Sequence, residues 1–253
     1  ATIDVGDDPS GVAFDGTHIW VTNYLDDTVS KIDAATGVVA APIGVGNNPA
    51  EVAFDGTHMW VTNLSDGTVS KIVAASGAVT ATITVGNNPS GVAFDGTHMW
   101  VANGSDDTVS KIVASTGVVA ATITVGNNPL EVAFDGTHIW VTNYLDGTVS
   151  KIVTATGAVA ATIDVGNDPA GVAFDGTHIW VTNYNDDTVS KIVAATGAVT
   201  ATIDVGNALA GVAFDGTHIW VTNLIDGTVS KIVASTGAVT ATITVGNNPS
   251  GVA

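Results

Sequence analysis

The chain has 253 residues, no cysteine, and 24 acidic residues against six lysines, for a formal net charge of −18 at pH 7. The lack of cysteine excludes disulfide frameworks and thiol-based metal or nucleophile sites. The scarcity of cations argues against nucleic acid as a partner, because binding to phosphates requires clustered Lys or Arg. No segment approaches the roughly 20 apolar residues that a membrane-spanning helix needs, so no membrane span is predicted.

An internal repeat dominates the sequence. The segment Phe-Asp-Gly-Thr-His recurs every 40 residues, beginning at Phe14, Phe54, Phe94, Phe134, Phe174 and Phe214. Residues 241–253 repeat residues 1–13 almost letter for letter. A fixed period of this length is typical of solenoids and propellers, and it predicts one domain over residues 1–253 made of six repeats.

Each repeat contains four short runs rich in β-branched residues, separated by turn signals. In the first repeat these runs cover approximately residues 11–15, 18–23, 28–34 and 38–45. The pairs Asp15-Gly16 and Thr36-Gly37 are hairpin signals, since Gly readily adopts the positive φ that tight turns require. The pattern predicts four consecutive antiparallel strands in each repeat.

The second run of the repeat shows how these small sheets pack. Ile19, Trp20 and Val21 are apolar without alternation, so both faces of the sheet must be covered. Radial packing of sheets around an axis covers both faces, with one Trp and one Phe per sheet filling the gaps. The predicted fold is therefore all-β: a six-bladed β-propeller of four-stranded antiparallel blades. Pro42 lies in the fourth run, and because Pro is tolerated chiefly at sheet edges, this run should be the outermost strand.

The overlap at the chain ends leaves two ways to complete the sixth blade. Residues 1–6 and 239–246 are both versions of the outer strand, although six blades need only six such strands. Either copy could complete the last blade, and the other would then be surplus. A surplus strand could pair with the exposed edge of another molecule, which predicts self-association.

The repeat also resembles a known family along the whole chain. The segments Trp60–Asn63, Gly67–Ile72 and Val85–Pro89 resemble the YVTN repeat of bacterial and archaeal β-propellers, with Trp in place of the first Tyr. These proteins are similar in outline to NHL-repeat propellers and to the virginiamycin B lyases. The resemblance implies a propeller, commonly seven-bladed, and favours an extracellular or cell-surface location. The close identity of the copies favours recent amplification or a symmetrised design.

Candidate binding residues lie at one end of the predicted propeller, where the copies differ most. The loop after the second strand and the loop before the next repeat share this end, because strand connections alternate between the two ends. Glu51 and Glu131 are the only glutamates in the chain and replace Gly at the start of a first strand. Exposed aromatic residues and nearby polar groups suit a small-molecule or peptide site, whereas neutral drift of solvated loops explains the same variation. The candidate ligand-binding residues are Asn23, Tyr24, Glu51, Glu131, Tyr144 and Tyr184.

No intrinsic metal, cofactor or catalytic centre is predicted. Adventitious calcium or magnesium could be attracted by the pairs Asp26-Asp27, Asp106-Asp107 and Asp186-Asp187. However, Asp followed by Gly or Thr is also common in ordinary turns. The six histidines, His18 and its equivalents, fall at the opposite end and are interpreted as polar caps over Trp20 and its equivalents. Ser30 and its equivalents lack the elbow and the base that a nucleophile needs.

Three hypotheses for function follow. The leading one is a non-catalytic binding or structural module that presents variable loops to an unidentified protein, peptide or small molecule. The second comes from the resemblance to virginiamycin B lyases, which implies a magnesium-assisted elimination with Glu and His bases, where Glu51 and Glu131 would be the Glu candidates. The third is a designed symmetric scaffold with no natural function.

Overall fold

The computed structural model describes residues 2–252, and their fold is a six-bladed β-propeller. Twenty-four strands form six sheets of four antiparallel strands each, in strict chain order within every sheet. This confirms the fold predicted from the repeat. Among residues 2–252, no helix has the length and apolar character needed to cross a membrane.

The chain divides into two compact units, Ala1–Thr124 and Val125–Ala253, each with three blades. The strands of the first unit are β1 (Pro9–Phe14), β2 (His18–Asn23), β3 (Thr28–Asp33), β4 (Ile43–Gly44), β5 (Pro49–Phe54), β6 (His58–Asn63), β7 (Thr68–Val73), β8 (Val79–Thr84), β9 (Pro89–Phe94), β10 (His98–Asn103), β11 (Thr108–Val113) and β12 (Val118–Thr124).

The second unit repeats the same pattern, with a short 3₁₀ helix at Tyr144–Asp146. Its strands are β13 (Pro129–Phe134), β14 (His138–Asn143), β15 (Thr148–Val153), β16 (Val159–Asp164), β17 (Pro169–Phe174), β18 (His178–Asn183), β19 (Thr188–Val193), β20 (Val199–Asp204), β21 (Leu209–Phe214), β22 (His218–Asn223), β23 (Thr228–Val233) and β24 (Val239–Thr244).

The outermost strand of the first blade is much shorter than its equivalents. Strand β4 has two residues, whereas β8 has six. Pro42 directly precedes β4 and has no N–H to donate to the neighbouring strand. The sheet order places β4 at the edge of its blade, which confirms the prediction from Pro42.

The hydrophobic core of each unit lies between neighbouring blades. Trp180 of the fifth blade packs with Leu209, Ile219, Val221 and Ile232 of the sixth. Because both faces of a blade meet such a layer, the second strand needs the unbroken apolar run seen in the sequence. Five of the six tryptophans are fully buried, and Trp220 of the last blade is partly exposed.

The C-terminal copy of the outer strand completes the sixth blade. Residues 239–244 form β24 and pair with β23. Residues 2–6 form no strand, although the Gly6 amide donates a hydrogen bond to Asn23 Oδ1 at 3.1 Å. Of the two alternatives that the sequence left open, the structure therefore shows the C-terminal one.

Candidate functional site

Two kinds of loop meet at one end of every blade, and we call this end the loop end. In the first blade Pro9 is paired with Asn23 across the β1–β2 ladder, so the start of β1 lies beside the end of β2. The Tyr24 amide donates to the Asp8 carbonyl at 3.0 Å, which joins the two loops directly. All the candidate residues named from the sequence lie in or next to these loops.

Aspartates at the loop end hold the loops together. Asp66 accepts hydrogen bonds from the backbone amide and the side-chain amide of Asn47, both at 2.8 Å. Asp27 Oδ1 accepts the backbone amide of Asn48 at 2.8 Å. The equivalent bonds from Asn87 lower the pKa of Asp106, because they favour the ionised carboxylate. In the described part of the chain, no three His, Asp or Glu side chains are grouped closely enough to hold a metal ion.

Asn23, one of the candidates, is fully buried. Its side-chain amide nitrogen donates to Thr28 Oγ1 at 2.9 Å and to Ser30 Oγ at 3.0 Å. Its oxygen accepts the amide of Gly6. These contacts satisfy the polar atoms of the side chain inside the protein, so Asn23 supports the loops rather than presenting a free group to a ligand.

Two of the three tyrosines come together in the second unit. The Tyr144 hydroxyl interacts electrostatically with the Asp168 carboxylate and with Tyr184. Burial, together with the negative charge of Asp168, raises the pKa of the Tyr144 hydroxyl. The side-chain amide of Asn185 also donates to Asp168. We call Tyr144, Asp168, Tyr184 and Asn185 the tyrosine cluster.

Tyr24 lies at the equivalent loop position in the first blade but has different surroundings. The position that corresponds to Asp168 is occupied there by Asn48, whose side-chain amide donates to the Tyr24 carbonyl at 3.2 Å. The following blade carries Leu64 where the second unit has Tyr184. Tyr24 therefore lacks both the carboxylate and the second ring of the tyrosine cluster.

Each of the two glutamates is the third residue of the innermost strand of its blade. The Glu51 amide donates to Thr62 Oγ1 at 3.0 Å, and the Glu131 amide donates to Thr142 Oγ1 at 2.9 Å. A Cβ atom added to Gly11 would lie only 2.9 Å from Glu51 Oε2, so the Glu51 carboxyl lies directly over the Gly11 backbone. Burial of this carboxyl raises its pKa to about 7. Glu51 can thus exchange a proton near neutral pH.

The opposite end of each blade, which we call the turn end, carries a contact that sequence reasoning missed. Trp20 Nε1 donates to Asp15 Oδ2 at 2.8 Å, while the amides of Thr17 and His18 donate to Asp15 Oδ1. His18 Nδ1 lies 3.3 Å from the same carboxylate. The invariant spacing of five residues from Asp to Trp was visible in the repeat, but Asp15-Gly16 also matches an ordinary hairpin turn.

Each lysine lies over the tryptophan of its own blade. Lys71 Nζ is 4.9 Å from the centre of the Trp60 ring and donates to the Ala114 carbonyl of the next blade at 2.6 Å. A cation over an aromatic face is attracted to the negative charge of the ring face. The observed partners are an aromatic ring and a carbonyl.

No protein-family model and no curated protein matches this sequence. Solved structures do match its fold. Hydrazine synthase from Kuenenia stuttgartiensis superposes with a TM-score of 0.87 at 19% identity, covering 99% of this chain and 90% of that chain. Virginiamycin B lyase from Staphylococcus aureus gives a TM-score of 0.82 at 14% identity, covering 96% and 87%.

A third match is a protein of unknown function from Desulfotomaculum acetoxidans, with a TM-score of 0.83 at 17% identity, covering 99% of this chain and 90% of that chain. At these identities the likeness shows the fold alone. The repeat predicted a resemblance to virginiamycin B lyase-like propellers. The superpositions confirm that the chain has the fold of these proteins.

Proposed function

We propose that this protein is a binding module that holds a small molecule or a peptide at its loop end, with the tyrosine cluster as the contact surface. The observation that carries the proposal is that the otherwise near-identical repeats differ at this end, where the Tyr144 hydroxyl interacts with the Asp168 carboxylate and with Tyr184. Tyr combines a broad apolar ring with a polar tip, which suits it to binding surfaces.

The charge of the cluster favours a ligand that carries a cation or hydrogen-bond donors. Asp168 is an acceptor, and the aromatic faces attract cations. The net charge of −18 attracts cationic ligands from a distance and repels anionic ones. Basic peptides and small organic amines are therefore the first classes to test.

A thermal-shift screen of such amines and peptides tests the proposal. We expect at least one compound to raise the melting temperature of the wild-type protein, since a ligand at 100 times its Kd stabilises the folded state by about 2.7 kcal/mol. The double substitution Y144A/Y184A should abolish the shift. The matched control is Y24A, which removes the same side chain from a loop without the carboxylate and should leave the shift unchanged.

The proposal fails if no compound shifts the wild-type protein, or if Y144A/Y184A responds as the wild type does. The melting temperatures without ligand show whether the variants are folded. Both tyrosines are only half-buried, so their loss should leave the core intact.

A lyase reaction is the second candidate, and the raised pKa of Glu51 favours it. A carboxylate with a pKa of about 7 is well matched to general-base catalysis near neutral pH. One solved neighbour is a catalytically inactive virginiamycin B lyase with quinupristin. Incubation with quinupristin and magnesium should then consume the antibiotic in wild type but not in E51Q, as followed by mass spectrometry. Unchanged quinupristin with the wild-type protein would eliminate this candidate.

A further inference from the structure

The first blade differs from the other five at two positions that the loop end does not involve. Asp33 stands where the other blades have Val, and Pro42 stands where they have Thr. The two positions are nine residues apart in the sequence, and a hairpin brings the strands that contain them together. Both changes therefore affect the outer half of one sheet.

A cavity of about 390 Å³ lies at this place within the first unit. Its walls include His18, Lys31 and Asp33 from the sheet and Ile43 from the shortened outer strand, with Ser76 and Gly77 of the second blade on the far side. Pro42 interrupts the pairing of the outer segment with β3: the Ala40 amide still donates to the Lys31 carbonyl at 2.8 Å, and regular pairing resumes only at Ile43. The volume falls within the range of about 300–1,000 Å³ that is typical of small-molecule sites.

Three charged or ionisable residues of the cavity, His18, Lys31 and Asp33, lie on one face of the sheet. His18 is directly opposite Asp33 in the β2–β3 ladder, which places their Cβ atoms about 5 Å apart. Lys31 precedes Asp33 by two residues in the same strand and therefore points to the same side. No other blade has an acid at the position of Asp33, because Val stands there.

Asp33 and His18 each use one polar side-chain atom for contacts within the protein, and each has a second polar atom. Asp33 Oδ1 accepts the three hydrogen bonds of the turn, from the amides of Ala35 and Thr36 and from Thr36 Oγ1. The other carboxylate oxygen takes no part in that turn. His18 uses Nδ1 toward Thr17 and Asp15, which leaves Nε2 on the other side of the ring.

Lys31 is more accessible than the equivalent lysines of the second to fifth blades. Its ammonium group donates to the carbonyls of Ala74 at 2.6 Å and Ala75 at 3.4 Å, and an ammonium group has three N–H donors. Lys31 is half-buried, whereas Lys71 of the next blade is only 8% exposed. The cavity thus has a cation and an imidazole beside one carboxylate, with Val38, Ala40 and Ile43 forming an apolar wall.

We propose that this cavity is a second binding site, for a zwitterionic small molecule of the α-amino acid class with an apolar side chain. Asp33 Oδ2 accepts from the ligand ammonium, and Lys31 and His18 Nε2 donate to the ligand carboxylate. The apolar side chain of the ligand lies against Val38 and Ile43. The site is independent of the tyrosine cluster, which lies in the second unit.

Titration calorimetry of the full chain with L-leucine tests this proposal. We expect one binding event for the wild type. The variants D33V and P42T should each weaken it at least about tenfold, because one removes the charge-assisted hydrogen bond to the ammonium and the other allows continuous pairing of the outer segment with β3, which shifts the cavity wall formed by Ala40 and Ile43. Both substitutions install the residue that the other five blades already contain, so the variants should fold.

Two further probes test the ligand class. N-acetyl-L-leucine lacks the ammonium group and isoamylamine lacks the carboxylate, so each should bind at least about tenfold more weakly than L-leucine. The variant Y144A/Y184A should bind L-leucine like the wild type, which separates this site from the proposed function. The proposal is overturned if L-leucine does not bind, or if D33V binds it with unchanged affinity.

Discussion

Replacing Trp180 with Ala should lower the free energy of unfolding by about 3–5 kcal/mol, as is typical of large-to-small changes at fully buried aromatic residues. Trp180 is 0% exposed and fills the layer between the fifth and sixth blades. The substitution also removes the ring beneath Lys191, whose Nζ lies 5.0 Å from its centre. Urea unfolding followed by circular dichroism measures the change.

The repeat supplies a matched control for this substitution. Trp220 occupies the same position in the sixth blade but is partly exposed. W220A removes the same atoms from a site that water already reaches, so the loss of unfolding free energy should be clearly smaller than that of W180A. Equal losses in the two variants would show that packing between blades is not the main source of stability.

Replacing Asp175 with Ala should lower the free energy of unfolding by roughly 2–4 kcal/mol, since it leaves buried donors without a charged acceptor. Trp180 Nε1 donates to Asp175 Oδ2 at 2.8 Å, and the His178 amide donates to Oδ1 at 2.6 Å. The side chain of Asp175 is only 4% exposed. The control is D215A, because the Asp215 side chain is 38% exposed and water can replace its bonds.

The lowered pKa of Asp175 predicts how the free energy of unfolding should change with pH. Burial opposes ionisation of Asp175, but the hydrogen bonds from Trp180, His178 and Thr177 together outweigh it and lower the pKa. A group whose pKa is lower in the folded state contributes stability above its unfolded pKa, near 4, and loses that contribution as the pH falls through the folded value. The difference in unfolding free energy between wild type and D175N should therefore shrink from pH 6 to pH 2. A difference that stays constant would contradict this role.

The sequence predicted the architecture because each local signal agreed with the global fold. The Asp-Gly and Thr-Gly turns, the unbroken apolar run at Trp20 and the position of Pro42 all indicated four-stranded blades with β4 at the edge. The observed strand β2 has the predicted bounds of residues 18–23. The fourth strand of the first repeat was predicted at 38–45; regular strand covers only Ile43–Gly44, because Pro42 has no N–H to donate and interrupts the pairing that begins with an isolated bridge at Val39.

Contacts that join different parts of the chain could not be predicted from the repeat. The bond from Lys71 to Ala114 spans 43 residues and depends on how neighbouring blades pack. Asn23 was named as a ligand residue from its place beside the variable loop, but only the folded chain shows that its amide is used by Thr28 and Ser30. The partnership of Tyr144 with Asp168 likewise joins loops that the sequence alone does not connect.

A crystal structure of the protein with the strongest compound from the amine and peptide screen tests the central claim most directly. The claim is that the loop end of the second unit binds a ligand through Tyr144, Asp168 and Tyr184. We predict ligand density in contact with both tyrosine rings, with a cationic or donor group of the ligand within hydrogen-bond distance of the Asp168 carboxylate. Density at the turn end, beside Asp175 and His178, with the tyrosine cluster empty would contradict the account.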